Sequence, residues 1–400
     1  MLHSLSPERA LPHVYLSPIF LSLAYYSVPV TKVSTTSTTY IPFIEMLGER
    51  AAIVALPSSV TAYVSSPCLK KRMADGQVTT VTGDTFSTGW TNRNTALTTA
   101  GVTLTIADSF SKAALNAFVM TDTKETSTTA STKLGGTTAA LQSAEYIELV
   151  ALFLNREAEA NAAFGTIVDR YECTTKDIKA EIAKFATPMP AIKVLWASWA
   201  NDGSGNSGWS IGTCPSYYCE AIITAGGELV TYTGVVGDVT MWGFYKYLST
   251  AQLLAGAGAT ADVFIHSGNW SSAVEGNTLA TLTAGLAAVQ SGRVFDTNRM
   301  GSTDWFESRV AEPDVFLRDV ASALHPSHAN LGQHDRAWLR QHDEGGEERA
   351  ACGIDSTVPH KLQGDPAWCG SLDSSAASQS CVGAPLAALA AVAAAGALLA

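Results

Sequence analysis

The residues of this 400-residue chain best equipped to hold or transform a small molecule stand where short β-branched runs give way to loops. In the first half these are Thr38, Thr39 and Tyr40, then Ser58, Ser59 and Tyr63, then Asp108 and Ser109. In the second half they are Trp199, Asp202, Asn206 and Trp209, then His266, Asn269 and Trp270, then Arg299, Asp304 and Trp305. Loops that leave a rigid scaffold at strand ends are where binding groups are presented. Tryptophan is costly to leave in water, and a broad plane with one donor suits a large, partly apolar ligand. A bare metal ion would need three or four converging His, Asp or Glu side chains. Of the histidines only His266 falls at such a loop, so no metal site and no resident cofactor are expected. A histidine at a strand end is more often a satisfied structural residue than a ligand. His325, His328, His334 and His342 follow in an irregular polar stretch and read as surface residues.

Enzyme chemistry finds little support. HExxH and GxxxxGK are absent, and "NDGSGNSG" is glycine-rich without being a dinucleotide fingerprint. Asp202 and Asp304 are the carboxylates that an acid–base pair across a cleft would use. A binding protein is expected, with a secretory-pathway enzyme or a structural surface protein as alternatives.

The elements that must position these residues form two α/β series. "VTKVSTTSTTY", "AAIVALPSS" and "GVTLTIADS" read as strands of the first series, with "IPFIEMLGER" and "SPCLKKRMADG" as helices stopped by glycine. In the second, "AIKVLWASW", "ELVTYTG", "ADVFIHSG" and "RVFDTN" read as strands. "NDGSGNSGWS" reads as a loop, and "SYYCEAIITAGG", "GFYKYLSTAQLLAGAG", "TLATLTAGLAAVQSG" and "EPDVFLRDVASAL" as helices. Between the series, "AEYIELVALFLNREAEANAAFGTIVDRYE" keeps Tyr146, Leu149, Val150, Phe153, Phe164, Ile167, Val168 and Tyr171 on one face, which predicts one uninterrupted helix over 144–172. The fold class expected is α/β: two α/β lobes bridged by one long α-helix, with an interlobe cleft. The expected divisions are an N-terminal segment at 1–30, a first lobe at 31–137, the connecting helix at 138–173 and a second lobe at 188–326. An irregular polar stalk at 327–381 and a hydrophobic tail at 382–400 would follow.

Charged residues make up 15% of the chain and hydrophobic ones 46%, the balance of an ordered globular body. The net charge of -11 and a basic cluster limited to Lys70, Lys71 and Arg72 argue against nucleic acid as a partner. Of the seven cysteines none forms CxxC, and Cys214 with Cys219 would close a small loop around "CPSYYC" in an oxidising compartment. The tail "VGAPLAALAAVAAAGALLA", preceded by the small residues of "SLDSSAASQS", has the order of a glycolipid-anchor signal, with a tail-anchoring transmembrane helix as the runner-up. Either places the body at the cell surface, anchored to the plasma membrane and facing outward. The expected leader is missing or altered, because the apolar run at the N-terminus is broken by Pro18. Asn269 opens the sequon "NWS" and is expected to be unmodified if its loop faces a cleft.

Taken in order, "TYIPFIEMLGERAAIVAL", "SYYCEAIITAGGELV", "ADVFIHSGNW", "GLAAVQSGRVFD" and "DWFESRVAEPDVFLRDVASALHP" resemble the substrate-binding proteins of bacterial transporters for cobalamin, siderophores and haem. "YIELVALFLNREAEANAAF" is similar to the helix of a eukaryotic branch, the algal cobalamin acquisition proteins. The resemblance implies the same two-lobed fold, a ligand held between the lobes, and a transporter or receptor as partner. It implies cobalamin as the bound ligand, with a ferric siderophore or haem as alternatives. His266 would then be a candidate ligand to cobalt on an exposed corrin face. A siderophore anion would favour an arginine-rich cleft, whereas Arg299 is the one obvious candidate.

Overall fold

The computed structural model describes residues 26–83, 90–108, 111, 114–120, 139–184, 191–201, 207–214, 216–232, 245–346 and 352. Asp202, Asn206 and Ser109, the N-terminal leader and the tail at 382–400 lie outside them.

The first lobe is built from β1 (Val33–Thr35), α1 (Ile41–Met46), β2 (Ile53–Pro57), α2 (Ser58–Thr61), α3 (Pro67–Ala74), β3 (Thr79–Val81), α4 (Thr91–Thr99), β4 (Leu104–Ala107) and β5 (Ala117–Val119). Its five strands pair in the order β3-β2-β1-β4-β5, all parallel. Strands covered on both faces need near-continuous apolar residues, which "IVAL" in β2 and "LTIA" in β4 supply.

Two helices follow, α5 (Ala139–Leu154) and α6 (Glu157–Ile182), where one uninterrupted rod was expected. Asn155 takes a left-handed φ of 57°, and the Arg156 N–H reaches back to the Ala151 carbonyl. That is a Schellman stop, with asparagine where glycine is more common. Arg156 then pairs with Glu49 at 2.6 Å, fixing the turn to the first lobe. Along α5, Leu141 and Ala144 belong to the core of the second lobe, and Ile147, Val150, Ala151 and Leu154 to that of the first. Along α6 the order reverses, from Ala160 in the first core to Ile167, Tyr171 and Ile178 in the second. The two helices are thus an antiparallel hairpin crossing both lobes. The long bridge is α6, whose 26 residues span roughly 39 Å.

The second lobe comprises β6 (Ile192–Asn201), β7 (Ser207–Gly212), α7 (Tyr217–Thr224), β8 (Gly227–Leu229), β9 (Tyr245–Leu248), α8 (Thr250–Ala255), β10 (Val263–His266), α9 (Trp270–Gly276), α10 (Leu279–Gly285), α11 (Ala287–Gln290), β11 (Val294–Asp296), α12 (Ser302–Ser308), α13 (Pro313–Leu324) and β12 (Arg340–Gln341). Strand order is β12-β11-β10-β6-β7-β9, with β8 also on β6. Two readings change here. Ser207–Gly212 is a strand rather than part of a glycine loop, pairing antiparallel with β6. Tyr245–Leu248 is a strand on β7, and the helix starts only after it, where Ser249 and Gln252 close a capping box.

The folded body also continues past the expected boundary at Pro326. Asp319 on α13 accepts hydrogen bonds from the His334 ring at 2.7 Å and from the backbone N–H groups of Ala337, Trp338 and Leu339 at 2.8–3.0 Å. Leu331, Trp338 and Leu339 are buried. Arg340 then binds Asp296 through Nε at 3.0 Å and Nη2 at 2.6 Å as β12 joins the sheet. A polar, irregular composition concealed this, because one buried carboxylate rather than apolar periodicity organises the segment.

Two disulfides join described residues, Cys214–Cys219 as expected and Cys68–Cys352, and Cys173 on α6 is disulfide-bonded too. Trp338→Ala is expected to lower the unfolding free energy by about 3–5 kcal/mol in urea denaturation, the cost of emptying a buried aromatic site. A residue in a stalk would leave it unchanged.

Candidate ligand-binding cleft

Register brings the strand exits of each lobe to one edge. In the first sheet Thr35 pairs with Ile106 and Ser34 with Ala55, so Thr36, Ser58 and Asp108 leave side by side. In the second, His266 pairs with both Ala197 and Asp296, placing Ser267 and Thr297 at the matching edge. Such edges are where open α/β sheets take ligands. The two edges meet: the 3-10 turn Thr38–Tyr40, which leaves β1, packs against α12, which follows β11.

Polar bonds hold that meeting point. Glu307 on α12 accepts from the backbone N–H of Ser65 at 2.7 Å and of Ser66 at 3.0 Å, the residues that open α3. The Ser65 hydroxyl donates to Asp304 at 2.8 Å, and Ser308 and the Trp338 indole donate to the same carboxylate at 3.1 and 3.0 Å. Ser66 donates to Glu45 at 2.7 Å, and Glu45 is ion-paired with Arg50. Burial, reinforced by the nearby Glu45 and Asp304 charges, pushes the Glu307 carboxyl up to about 8, against the pull of the Ser65 hydrogen bonds.

Against this frame the sequence candidates divide. Thr38 and Thr39 are half-buried at the edge, with the Thr39 hydroxyl 2.9 Å from that of Ser37, whereas Tyr40 is buried and donates to the Met120 carbonyl. Ser58 is half-buried and Ser59 exposed, and Tyr63 is 61% exposed. Asp108 is buried and caps the N–H of Ser111. Asn269 is exposed and caps α9, and Arg299 is half-buried and paired with Asp335 at 2.6 Å. Asp304 is a buried strut of the junction, not a group open to solvent.

The tryptophans depart most from expectation. Trp209 is fully buried, donating to Thr250 at 3.1 Å. Trp270 packs against Phe264 with centroids 5.3 Å apart, and Trp305 against Phe316 at 5.1 Å. Both are buried, so their planes face the core. Trp199 keeps part of its surface and leans on Trp209 at 5.3 Å. Their apolar area is worth more inside than at a cleft wall.

His266 is also internal. Its Nε2 accepts the Trp199 N–H at 3.0 Å, and its Nδ1 lies 3.3 Å from the Gly268 carbonyl, so the ring carries its proton on Nδ1. Burial lowers its pKa to about 4, against the raising effects of the Gly268 hydrogen bond and Asp296. With Nε2 already engaged it has no lone pair to give a cobalt ion. No group of three or more metal-ligating side chains occurs among the described residues.

Sequence reading missed Phe306, 49% exposed on α12, along with Ser65, Ser66 and Glu307. A signal was present: "SSP" before "CLKKRMA" is a helix N-cap followed by proline, and Asp304, Glu307 and Ser308 share one helix face.

No protein-family model and no curated protein sequence matches the chain. Among solved structures it is similar to a periplasmic heme binding protein from Pseudomonas aeruginosa, with a TM-score of 0.51 and 14% identity over 81% of this chain and 99% of that one. It is also similar to Helicobacter pylori CeuE with Ni(II) bound, with a TM-score of 0.50 and 12% identity over 76% of this chain and 86% of that one. At such identities the likeness is one of fold: two α/β lobes bridged by helix, as expected.

His266 is expected to stay neutral as pH falls from 7 to about 5, visible as an unshifted Nε2 resonance in nitrogen-15 NMR. Because its folded pKa lies below the ordinary value of about 6.5, the stability it contributes is present above that value and fades as pH drops toward 4. A ring titrating near 6.5 would contradict this placement.

Proposed function

We propose that this protein is a capture protein, not an enzyme, which holds a large metal-chelate ligand between its lobes, cobalamin first among the candidates. One observation carries the reading. Tyr63 and Phe306, two largely exposed aromatic side chains, come from opposite lobes and flank the Ser65–Glu307 bond, two residues and one residue away along the chain. Large aromatic surface left in water beside a polar, rigid floor is what a partly apolar ring system requires. Thr38, Thr39, Ser59, Asn269 and Arg299 supply polar groups at the same edges. The corrinoid preference rests on the sequence resemblance in α5 and α6. The carboxylate an acid–base pair would need at residue 304 is engaged by Ser65, Ser308 and Trp338, which disfavours hydrolytic chemistry there.

A haem reading is favoured by one feature of its own. The Tyr63 phenol stands exposed at a strand-exit loop, and a tyrosine oxygen is an axial ligand that ferric haem accepts. A protein similar in fold is described as heme-binding. Disulfides in the body fit an oxidising, outward-facing location. The tail then serves as the membrane anchor, with a transporter or receptor receiving the ligand.

Titration of the purified protein with cyanocobalamin, haem and ferrichrome, followed by tryptophan fluorescence, tests the class. Saturable binding of one of them is expected, weakened roughly tenfold or more by Tyr63→Ala with Phe306→Ala, a loss of about 1.4 kcal/mol for each factor of ten. No response to any of the three would overturn the reading. Loss of a haem charge-transfer band in Tyr63→Phe alone would decide for haem. Treatment of expressing cells with a phosphatidylinositol-specific phospholipase is expected to release the protein, whereas a transmembrane tail would retain it.

A further inference from the structure

We propose that the lobe junction is a proton-coupled latch, in which Glu307 seats on the opening turn of α3 as a neutral carboxyl and loses that seat when it ionises. It rests on the geometry of the junction and not on which ligand, if any, the cleft takes.

Among the described residues, three carboxyl groups, Glu45, Asp304 and Glu307, are buried together, and one guanidinium, Arg50, is bonded into the group through Glu45. Three full negative charges against one positive, out of water, cost more than retaining a proton. The hydrogen bonds indicate which carboxyl keeps it. Asp304 already accepts from Ser65, Ser308 and Trp338, and Glu45 has Arg50 and the Ser66 hydroxyl. Glu307 has the two amides of Ser65 and Ser66, which a protonated carboxyl still satisfies through its remaining lone pairs.

Around Glu307, α12 itself contributes Asp304, α1 contributes Glu45, and the turn before β2 contributes Arg50. Lys70, Lys71 and Arg72 lie in the later turns of α3, where Lys71 pairs with Asp75. Arg309, after α12, stacks on Tyr217 with its guanidinium 3.6 Å from the ring centroid. The amide dipoles at the start of α3 favour an anion, but burial and the two neighbouring carboxylates outweigh them.

The same turn is also held covalently. Cys68 lies two residues beyond Ser66 and is bonded to Cys352, which follows the second lobe. Losing the Glu307 seat therefore loosens the junction without separating the lobes, which suits a small adjustment of the gap rather than a wide opening.

The sign follows from linkage. The folded pKa of Glu307 is raised from 4.5 to about 8, so the contribution is fully present below 4.5 and is lost as pH rises toward and through 8. The test uses the full chain with disulfides intact. Between about pH 5 and about pH 9 the urea midpoint of the wild type is expected to fall relative to that of Glu307→Gln, which cannot ionise at this position. Equal slopes in the two proteins would overturn the latch. Should Glu307→Gln fail to fold, infrared spectra of the wild type decide: a protonated carboxyl band persisting at neutral pH and lost on alkaline titration supports it, and its absence at neutral pH overturns it.

Discussion

The carboxyl group of Glu307 lying across two backbone amides of the first lobe is the interaction on which the shape of this molecule turns. It joins the exit edges of the two sheets, and it does so in a buried position, where each polar atom must find a partner. Asp304, on the same face of α12, extends the contact to Ser65 and, through the Trp338 indole, to the C-terminal segment. One helical turn therefore connects the first lobe, the second lobe and the chain that follows α13.

Around this floor the frame is stiff for separate reasons. The hairpin of α5 and α6 places apolar residues into both cores from each of its helices, so the lobes cannot turn without disturbing two packed interfaces. Val310 and Ala311, from the second half of the chain, are buried in the core of the first lobe. Asp319 gathers the Leu331–Leu339 stretch onto α13, and the Arg340–Asp296 pair ends the sheet. These devices favour small motions at the gap over a hinge.

The aromatic residues show how burial and exposure assign roles. Trp209 lies within β7, and Trp270 and Trp305 lie on the helices that follow β10 and β11, yet the second lobe uses all three as core, with Trp305 against Phe316 and Trp338. Tyr63 and Phe306 remain in solvent although nothing in their type demands it. A ligand surface is therefore better sought in aromatic residues that folding leaves outside than in those that composition makes conspicuous.

Much of the architecture was legible from local pattern. Apolar runs such as "VLWA" and "VFIH" could only be buried strands, and the three-and-four spacing of Leu149, Val150, Phe153, Phe164 and Ile167 required helix between the two α/β series. The bland reading of His266 also followed from its position at a strand end. Pairing through space decided the rest. Asn155 stops a helix whose periodicity continues past it, because a left-handed residue and one backward hydrogen bond leave the pattern of side chains almost unchanged. The polar stretch after Pro326 became part of the body through Asp319, a single carboxylate whose donors lie 15 to 20 residues away. Glu307 and Ser65 are 242 residues apart, and no spacing along the chain connects them. The sequence determined which segments would be strand, helix and core, since those follow from periodicity and burial. Tertiary structure alone decided which polar groups meet and which aromatic faces stay in water, because those depend on distances that only the packed lobes define.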